Sequence, residues 1–368
     1  MNPKCLYPFI FLEFHARGEV FACCPAWTRF GPIGNLYRQS IEEIWNGARI
    51  RKLRKKIYDN RYRSTCRAGY CPFLHQPIDF NQTIAKASPD LQTIINQIKQ
   101  RKTILKNGPL KISLAHSGIC NLRCQMCLSN SDFNPPEPKL DRLIFKQVIP
   151  SLLPGLEVIK LGGNGDPFFQ PQTLAFLKNF PAEKYPRLRF QILTNGLLFD
   201  SKLWPKIKHN HFECLDISID AADQKVYQKI RRGGQWPVLL KNLRFFSSLR
   251  KRKRIDCFII NFTVMRANYH QMADFVRLGL KFGCDQIRFN RIFGFRHLEN
   301  IEENINLFPD PKILLEIKKI LQNPLFKNSR VNLSNIKDYC HYQPAQLAIP
   351  RFKSKLIFFK LARNILKH

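Results

Sequence analysis

The sequence predicts an α/β protein: an open, partial (β/α)6 barrel, preceded by a small Cys-rich domain and followed by a helical, basic C-terminal tail. Three observations carry this. Six short apolar runs between residues 111 and 290 alternate with helix-length segments, and crossovers of that length join parallel strands. After Asn290 no further convincing strand–helix pair follows, so a closed eight-stranded barrel is not expected. Residues 1–80 lack the alternation and are rich in Cys and turn formers instead.

Taken in order, a helix is expected over 89–102, where Leu91, Ile94, Ile95 and Ile98 recur at helical spacing before the breaker Asn107-Gly-Pro109. Strands are expected at 111–115, 157–161, 189–193, 214–219, 257–264 and 286–290, with intervening helices at 141–151, 172–179, 236–249 and 269–282. Helices at 310–322 and 352–368 complete the pattern. The last places Lys353, Lys360, Arg363 and Lys367 in one stripe against Ile357, Phe358, Phe359, Leu361, Ile365 and Leu366. Such a face docks on the chain's own core or a partner more readily than on an anionic membrane surface, and the pattern allows both. The resulting divisions are 1–80, a linker at 81–108, a core at 109–300 and a basic extension at 301–368.

At 368 residues with 44% hydrophobic content, the chain can bury one large core and a smaller module. Its apolar stretches are broken too soon to span a bilayer. The apolar run 6–12 holds Pro8 and is followed by Glu13, without a cleavage site, which argues against a signal peptide. Of the twelve Cys, seven fall into local clusters at 23/24, 66/71 and 120/124/127, and three are singles at 214, 257 and 284 in apolar strand-like runs. Clusters fit metal ligands and singles fit buried thiols in a reducing compartment, so a cytoplasmic location is expected, peripheral to the membrane if the tail binds lipid. The formal charge is +33, concentrated at 49–67, 250–254 and 351–368. Such a field attracts anionic partners, nucleic acid, anionic lipid and phosphorylated substrates among them.

The chemistry concentrates in Ser117-Gly-Ile-Cys-Asn-Leu-Arg-Cys-Gln-Met-Cys-Leu128, just after the first core strand. Cys120, Cys124 and Cys127 on one tight loop suit three corners of a cubane iron–sulfur cluster and leave one iron open to a small molecule. A structural zinc site would want a fourth Cys or His nearby, and this loop has none at finger-like spacing. The second strand runs into Leu161-Gly-Gly-Asn-Gly-Asp-Pro-Phe168, the third ends Leu193-Thr-Asn-Gly196, and the fourth reads Asp216-Ile-Ser-Ile-Asp220. Strand alternation puts Asp216, Ser218 and Asp220 on one face. Arg288 and Asn290 share a face of the sixth strand and could line the same region.

With this loop, these strand ends and the loop Lys229-Ile-Arg-Arg-Gly-Gly234, the chain resembles the radical S-adenosylmethionine (SAM) superfamily. The resemblance implies a [4Fe–4S] cluster on Cys120, Cys124 and Cys127 whose open iron is chelated by SAM, cleaved reductively to a 5′-deoxyadenosyl radical. It implies SAM contacts from Gly162, Gly163, Asp166, Asn195, Ser218, Asp220 and Arg231. The family's usual Glu after the paired glycines is absent, and Asn164 or Asp166 stands in for it. Met126 replaces a common aromatic. In residues 1–80, Cys5, Gly18, Cys23, Ile33-Gly-Asn-Leu36, Ser40-Ile-Glu-Glu-Ile-Trp45, Cys66 and Cys71 resemble a SPASM/twitch auxiliary-cluster module placed before the core. That implies a second [4Fe–4S] cluster on Cys5, Cys23, Cys66 and Cys71, with Cys24 an alternative to Cys23. The implied partners are an electron donor such as flavodoxin or ferredoxin and a peptide or small-molecule substrate. An RNA substrate is the runner-up. From a different class, a zinc-dependent nucleic-acid-binding protein would use the same clusters and basic runs, although those runs interleave few aromatics.

Overall fold

The computed structural model describes residues 3–67, 71, 87–127, 135–292, 303–305 and 309–341. The strands are β1 (Phe11–His15), β2 (Glu19–Phe21), β3 (Gly34–Asn35), β4 (Lys111–Ala115), β5 (Arg123–Cys124), β6 (Val158–Leu161), β7 (Arg189–Thr194), β8 (Phe212–Ser218), β9 (Arg231–Arg232), β10 (Ile255–Val264), β11 (Gln286–Arg291) and β12 (Val331–Asn332). Ten of them form one open sheet in the order β12-β11-β10-β8-β7-β6-β4-β1-β2-β3, while β5 and β9 make a separate antiparallel ladder. The six strands from β4 to β11 are mutually parallel neighbours, as the partial barrel requires.

Alternation builds the two faces. Ile112, Leu114, Ile159, Leu161, Phe190, Ile192, Leu215, Ile217, Phe258, Ile260, Ile287 and Phe289 are buried in the core. The Trp236–Lys251 helix adds Leu239, Leu243, Phe246 and Leu249 at helical spacing. The opposite face carries Asp216 and two rows set by the register, Ser113–Lys160–Gln191 across β4, β6 and β7 and Ser218–Asn261–Arg288 across β8, β10 and β11. A polar interior face is unusual for a packed core and marks where a ligand can sit.

Helices fall where periodicity places them, within a few residues. The Pro89–Lys99 helix starts with Pro at its first turn and Ser88 accepting the Leu91 N–H at 3.2 Å. The helix expected over 141–151 begins at Pro138 and continues to Leu152 with a π turn at Ile144–Val148. Pro150 follows that turn and has no N–H to give to the carbonyl four residues earlier, so regular α-bonding cannot continue there.

The sheet also extends past the six expected strands. After Asn290, β12 pairs with β11 in parallel, Ile287 opposite Val331. At the other end β1 pairs in parallel with β4, Glu13 opposite Ser113, and carries β2 and β3 outward. The Cys-rich unit therefore continues the core sheet directly. It is further tied down by Arg54, fully buried in the basic Ala48–Tyr58 helix. Its guanidinium donates to Pro8 O at 2.9 Å and Thr103 O at 2.7 Å and lies over the Trp45 ring, whose own N–H bonds Asn107 O. One member of the basic run thus serves the fold, and burial pulls its pKa down to about 9. The expected tail helix at 352–368 lies outside the described residues.

Candidate active site

The loop after β4 is pinned from both sides. Asp166 N donates to Ile119 O at 2.9 Å, and Gln125 N donates to Ile230 O at 2.8 Å. Cys124 lies on β5, opposite Arg231 on β9. The three thiols of the loop lie within each other's electrostatic reach, and burial pushes Cys120 up to about 11 and Cys124 up to about 12. Thiols so placed are poor free nucleophiles but suit cluster ligation, where the metal's positive charge supports the thiolate. Among the described residues no three His, Cys, Asp or Glu side chains are drawn tightly around a single point.

Beyond β6 the chain turns through Gly162 at φ +97° and Gly163 at φ +119°. A Cβ on Gly162 would lie 2.1 Å from Leu193 O, so that glycine is demanded by packing against β7. A Cβ on Gly163 would meet only Ala115 Cβ at 3.8 Å, which leaves its other side open. Asp166, a candidate for the missing Glu, is buried and already holds three donors: Thr194 Oγ1 at 2.6 Å, Asn195 N at 2.9 Å and Phe168 N at 3.0 Å. Burial pushes its pKa up against those bonds. It joins the β6 turn to the end of β7 and, through its own N–H, to the cluster loop. Asn164 donates to Ala115 O at 2.5 Å and so faces the base of the same loop.

Asn195 donates to Asn121 Oδ1 at 2.8 Å and approaches Cys120 Sγ at 3.8 Å. Asp220 and Arg231, both candidates for SAM contacts, form a buried ion pair with each other. Asp220 also accepts Thr263 N at 2.6 Å, and Arg231 reaches Cys124 Sγ at 3.6 Å. Burial alone would lower the Arg231 pKa, but the Asp220 carboxylate and Cys124 hold it up. Asp216 bonds Asn261 and pairs with Arg288 Nη1 at 2.8 Å, and Asn290 donates to Asn261 Oδ1 at 3.4 Å. The half-buried Ser218 hydroxyl has no protein partner among the described residues. Sequence reasoning passed over Thr194, Asn121 and Thr263, whose roles arise only from contact. It also passed over Tyr227, whose buried hydroxyl has no hydrogen-bond partner among the described residues and lies near Arg231, Cys124 and Asp220. No sequence motif flags that tyrosine.

In the N-terminal unit, Cys5 lies within electrostatic reach of Cys66 and Cys71, and Cys23 within reach of Cys5 and Cys71. Burial pushes Cys5 up to about 12 and Cys66 up to about 11. Glu13 lies near both neighbours, and Cys24 also has Lys160 of the polar face within reach. Of the two neighbours, Cys23 is the one within reach of Cys5 and Cys71. Lys160 itself makes no hydrogen bond or ion pair among the described residues, in contrast to Lys111, which donates to Gln191 Oε1 at 2.7 Å.

Residues 114–279 match the radical SAM superfamily and residues 5–72 match an iron–sulfur cluster-binding domain, SPASM. Among curated proteins, the chain is 28% identical over 142 residues to the GTP 3',8-cyclase of Aliarcobacter butzleri, covering 38% of this chain and 43% of that one. It is 23% identical over 233 residues to the FeMo cofactor biosynthesis protein NifB of Chlorobaculum tepidum, covering 57% and 53%. The chain thus spans about half the length, or less, of these relatives. Among solved structures, Streptococcus suis SuiB is similar at 14% identity and a TM-score of 0.46, covering 83% of this chain and 69% of that one. The chain thus combines a radical SAM domain with an N-terminal SPASM domain, and [4Fe–4S] clusters and SAM are the cofactors such domains take. The choice between zinc and iron–sulfur is thereby settled for iron–sulfur. Among the described residues no helix is long and apolar enough to cross a membrane.

Proposed function

We propose that this enzyme abstracts a hydrogen atom from a peptide or small-molecule substrate held on the polar face of the sheet, between a SAM-binding cluster and an auxiliary cluster. Cys120, Cys124 and Cys127 would hold the first cluster, and Cys5, Cys23, Cys66 and Cys71 the second. One-electron cleavage of SAM, and a path for the electron left on the substrate, are the chemistry these groups supply when bound. A flavodoxin or ferredoxin would serve as reductant.

The protein's own residues position and exclude. Gly163 leaves its open side to SAM, and the Ser218 hydroxyl is free to bond it. Asp166 and Asn195 act through the loop by fixing Cys120, while the Asp220–Arg231 pair fixes the strand that presents Cys124. This departs from direct SAM contacts for those four residues and follows from their bonds being taken by protein groups. The observation that carries the reading is the convergence of the three-thiol loop, the Gly162–Gly163 turn and Ser218 at the carboxyl ends of neighbouring parallel strands.

Lys160 lies near Asp216 but makes no hydrogen bond or ion pair among the described residues, and a half-buried ammonium so placed favours a substrate with a carboxylate or phosphate group. Cys24 and Glu13, from the N-terminal unit, flank that position and would make the module part of the substrate wall. Anaerobically reconstituted protein given dithionite and SAM should release 5′-deoxyadenosine, and Cys124→Ala should abolish the release. Iron-loaded protein that binds SAM but never cleaves it would overturn this reading.

A further inference from the structure

Two thiols outside both cluster groups meet on the core sheet. Cys214 on β8 and Cys257 on β10 stand directly opposite each other on adjacent parallel strands. Neighbouring strands run about 4.8 Å apart, inside the roughly 4.4–6.8 Å window of Cα separations that a disulfide bridges. The two thiols interact with each other and are both free and half-buried. Lys111, Asp216 and Arg288 lie close to the pair, which places it on the polar face. Four residues of β8 separate Cys214 from Ser218, about 13 Å of strand rise, so the pair sits toward the far end of the face from the SAM-binding loop.

We propose that Cys214 and Cys257 form a redox-active dithiol that closes to a disulfide by exchange with a low-molecular-weight disulfide of the glutathione type. The Cys257 sulfur attacks one sulfur of the external disulfide and expels a thiolate. The Cys214 sulfur then attacks Cys257 Sγ in the mixed disulfide and expels the second. Two thiol protons and two electrons pass to the external disulfide, which leaves as two thiols, and one S–S bond forms for the one broken.

The geometry distinguishes the two partners. The interaction with Cys214 holds Cys257 below the ordinary thiol value against the effect of burial, and the nearby Arg250 helps. Cys214 is correspondingly pushed up. Cys257 is therefore the attacking sulfur and Cys214 the resolving one. Closure ties β8 to β10 two residues from Asp216 and replaces two weak donors with an apolar bridge. Neither cluster takes part, so the exchange is independent of the radical chemistry.

The test uses the anaerobic holoenzyme, incubated with oxidised glutathione, trapped with N-ethylmaleimide, digested and analysed by mass spectrometry, with the iron absorption followed throughout. The expected product in wild type is a peptide pair joined through Cys214 and Cys257, two hydrogens lighter than the thiols and reopened by dithiothreitol. In Cys214→Ser, glutathione should accumulate on Cys257 to about tenfold its level in wild type, because the resolving step is lost. If wild type shows both residues alkylated at every glutathione ratio while the iron absorption persists, the proposal is wrong. Equal glutathione adducts on Cys257 in wild type and Cys214→Ser would overturn it as well. The wild-type linkage decides alone if the serine variant fails to fold.

Discussion

Replacing Arg231 with Met removes one half of an ion pair whose other half has nowhere to go. The Asp220 side chain is 0% exposed and the Arg231 side chain 9%. Asp220 has φ +63°, its backbone carbonyl is bonded by Asn268 Nδ2 at 2.9 Å, and its carboxylate keeps only Thr263 N once the guanidinium is gone. Breaking a buried pair from one side costs about 3–5 kcal/mol, because the remaining charge is neither paired nor solvated. At about 2 °C per kcal/mol for a chain of this size, the melting temperature should fall by about 6–10 °C. Removing both charges behaves differently. Arg231→Met combined with Asp220→Asn leaves no buried charge, and Asn tolerates the positive φ. That double variant should recover to within about 1–2 kcal/mol of the parent. The assay is anaerobic thermal unfolding of the four proteins in the cycle, with iron content measured on each to confirm that Cys120, Cys124 and Cys127 remain loaded. A single variant that melts with the parent, or a double variant less stable than either single one, would refute the claim that this pair holds β9 against the Cys124 strand.

Three further outcomes follow from the same geometry. Gly162→Ala should not yield folded protein, since its Cβ overlaps Leu193 O, whereas Gly163→Ala should fold at a strain cost of about 1–3 kcal/mol and keep its iron. Equilibrium dialysis should then show SAM binding weakened in Gly163→Ala, and parental affinity would reduce that glycine to an ordinary turn. Cys66→Ala and Cys23→Ala should each lower iron to about half by removing a ligand of one of two cubanes, while Cys24→Ala should retain the full iron content. Equal iron loss in Cys23→Ala and Cys24→Ala would undo the separation of those neighbours. Finally, Lys160→Met should leave substrate-free SAM cleavage intact and slow only turnover of the substrate. Loss of uncoupled cleavage would place Lys160 with the SAM site instead.

Much of this was legible in the chain because the signals are local. The Cys120/Cys124/Cys127 spacing, the paired glycines after β6 and the alternation of six apolar runs with amphipathic helices all lie within windows of a dozen residues, the range over which periodicity and ligand spacing act. The edge strands were harder. β12 is two residues long, and β1 lies in an apolar run that reads equally well as a buried helix or strand.

The sequence by itself determined the class of chemistry and the order of the elements that carry it, since three thiols on one loop and the strand ends around them need no distant partner to be recognised. Tertiary structure alone decided who meets whom. β1 lies against β4 across nearly a hundred residues, Cys23 comes within reach of Cys5 and Cys24 within reach of Lys160, Asp220 claims Arg231, and two separate Cys become a facing pair. Strand register fixes the β1–β4 and Cys214–Cys257 pairings, and a slip of one residue would send those side chains to the other face. Register is set by the packing of the whole apolar face, so no short window of sequence contains it.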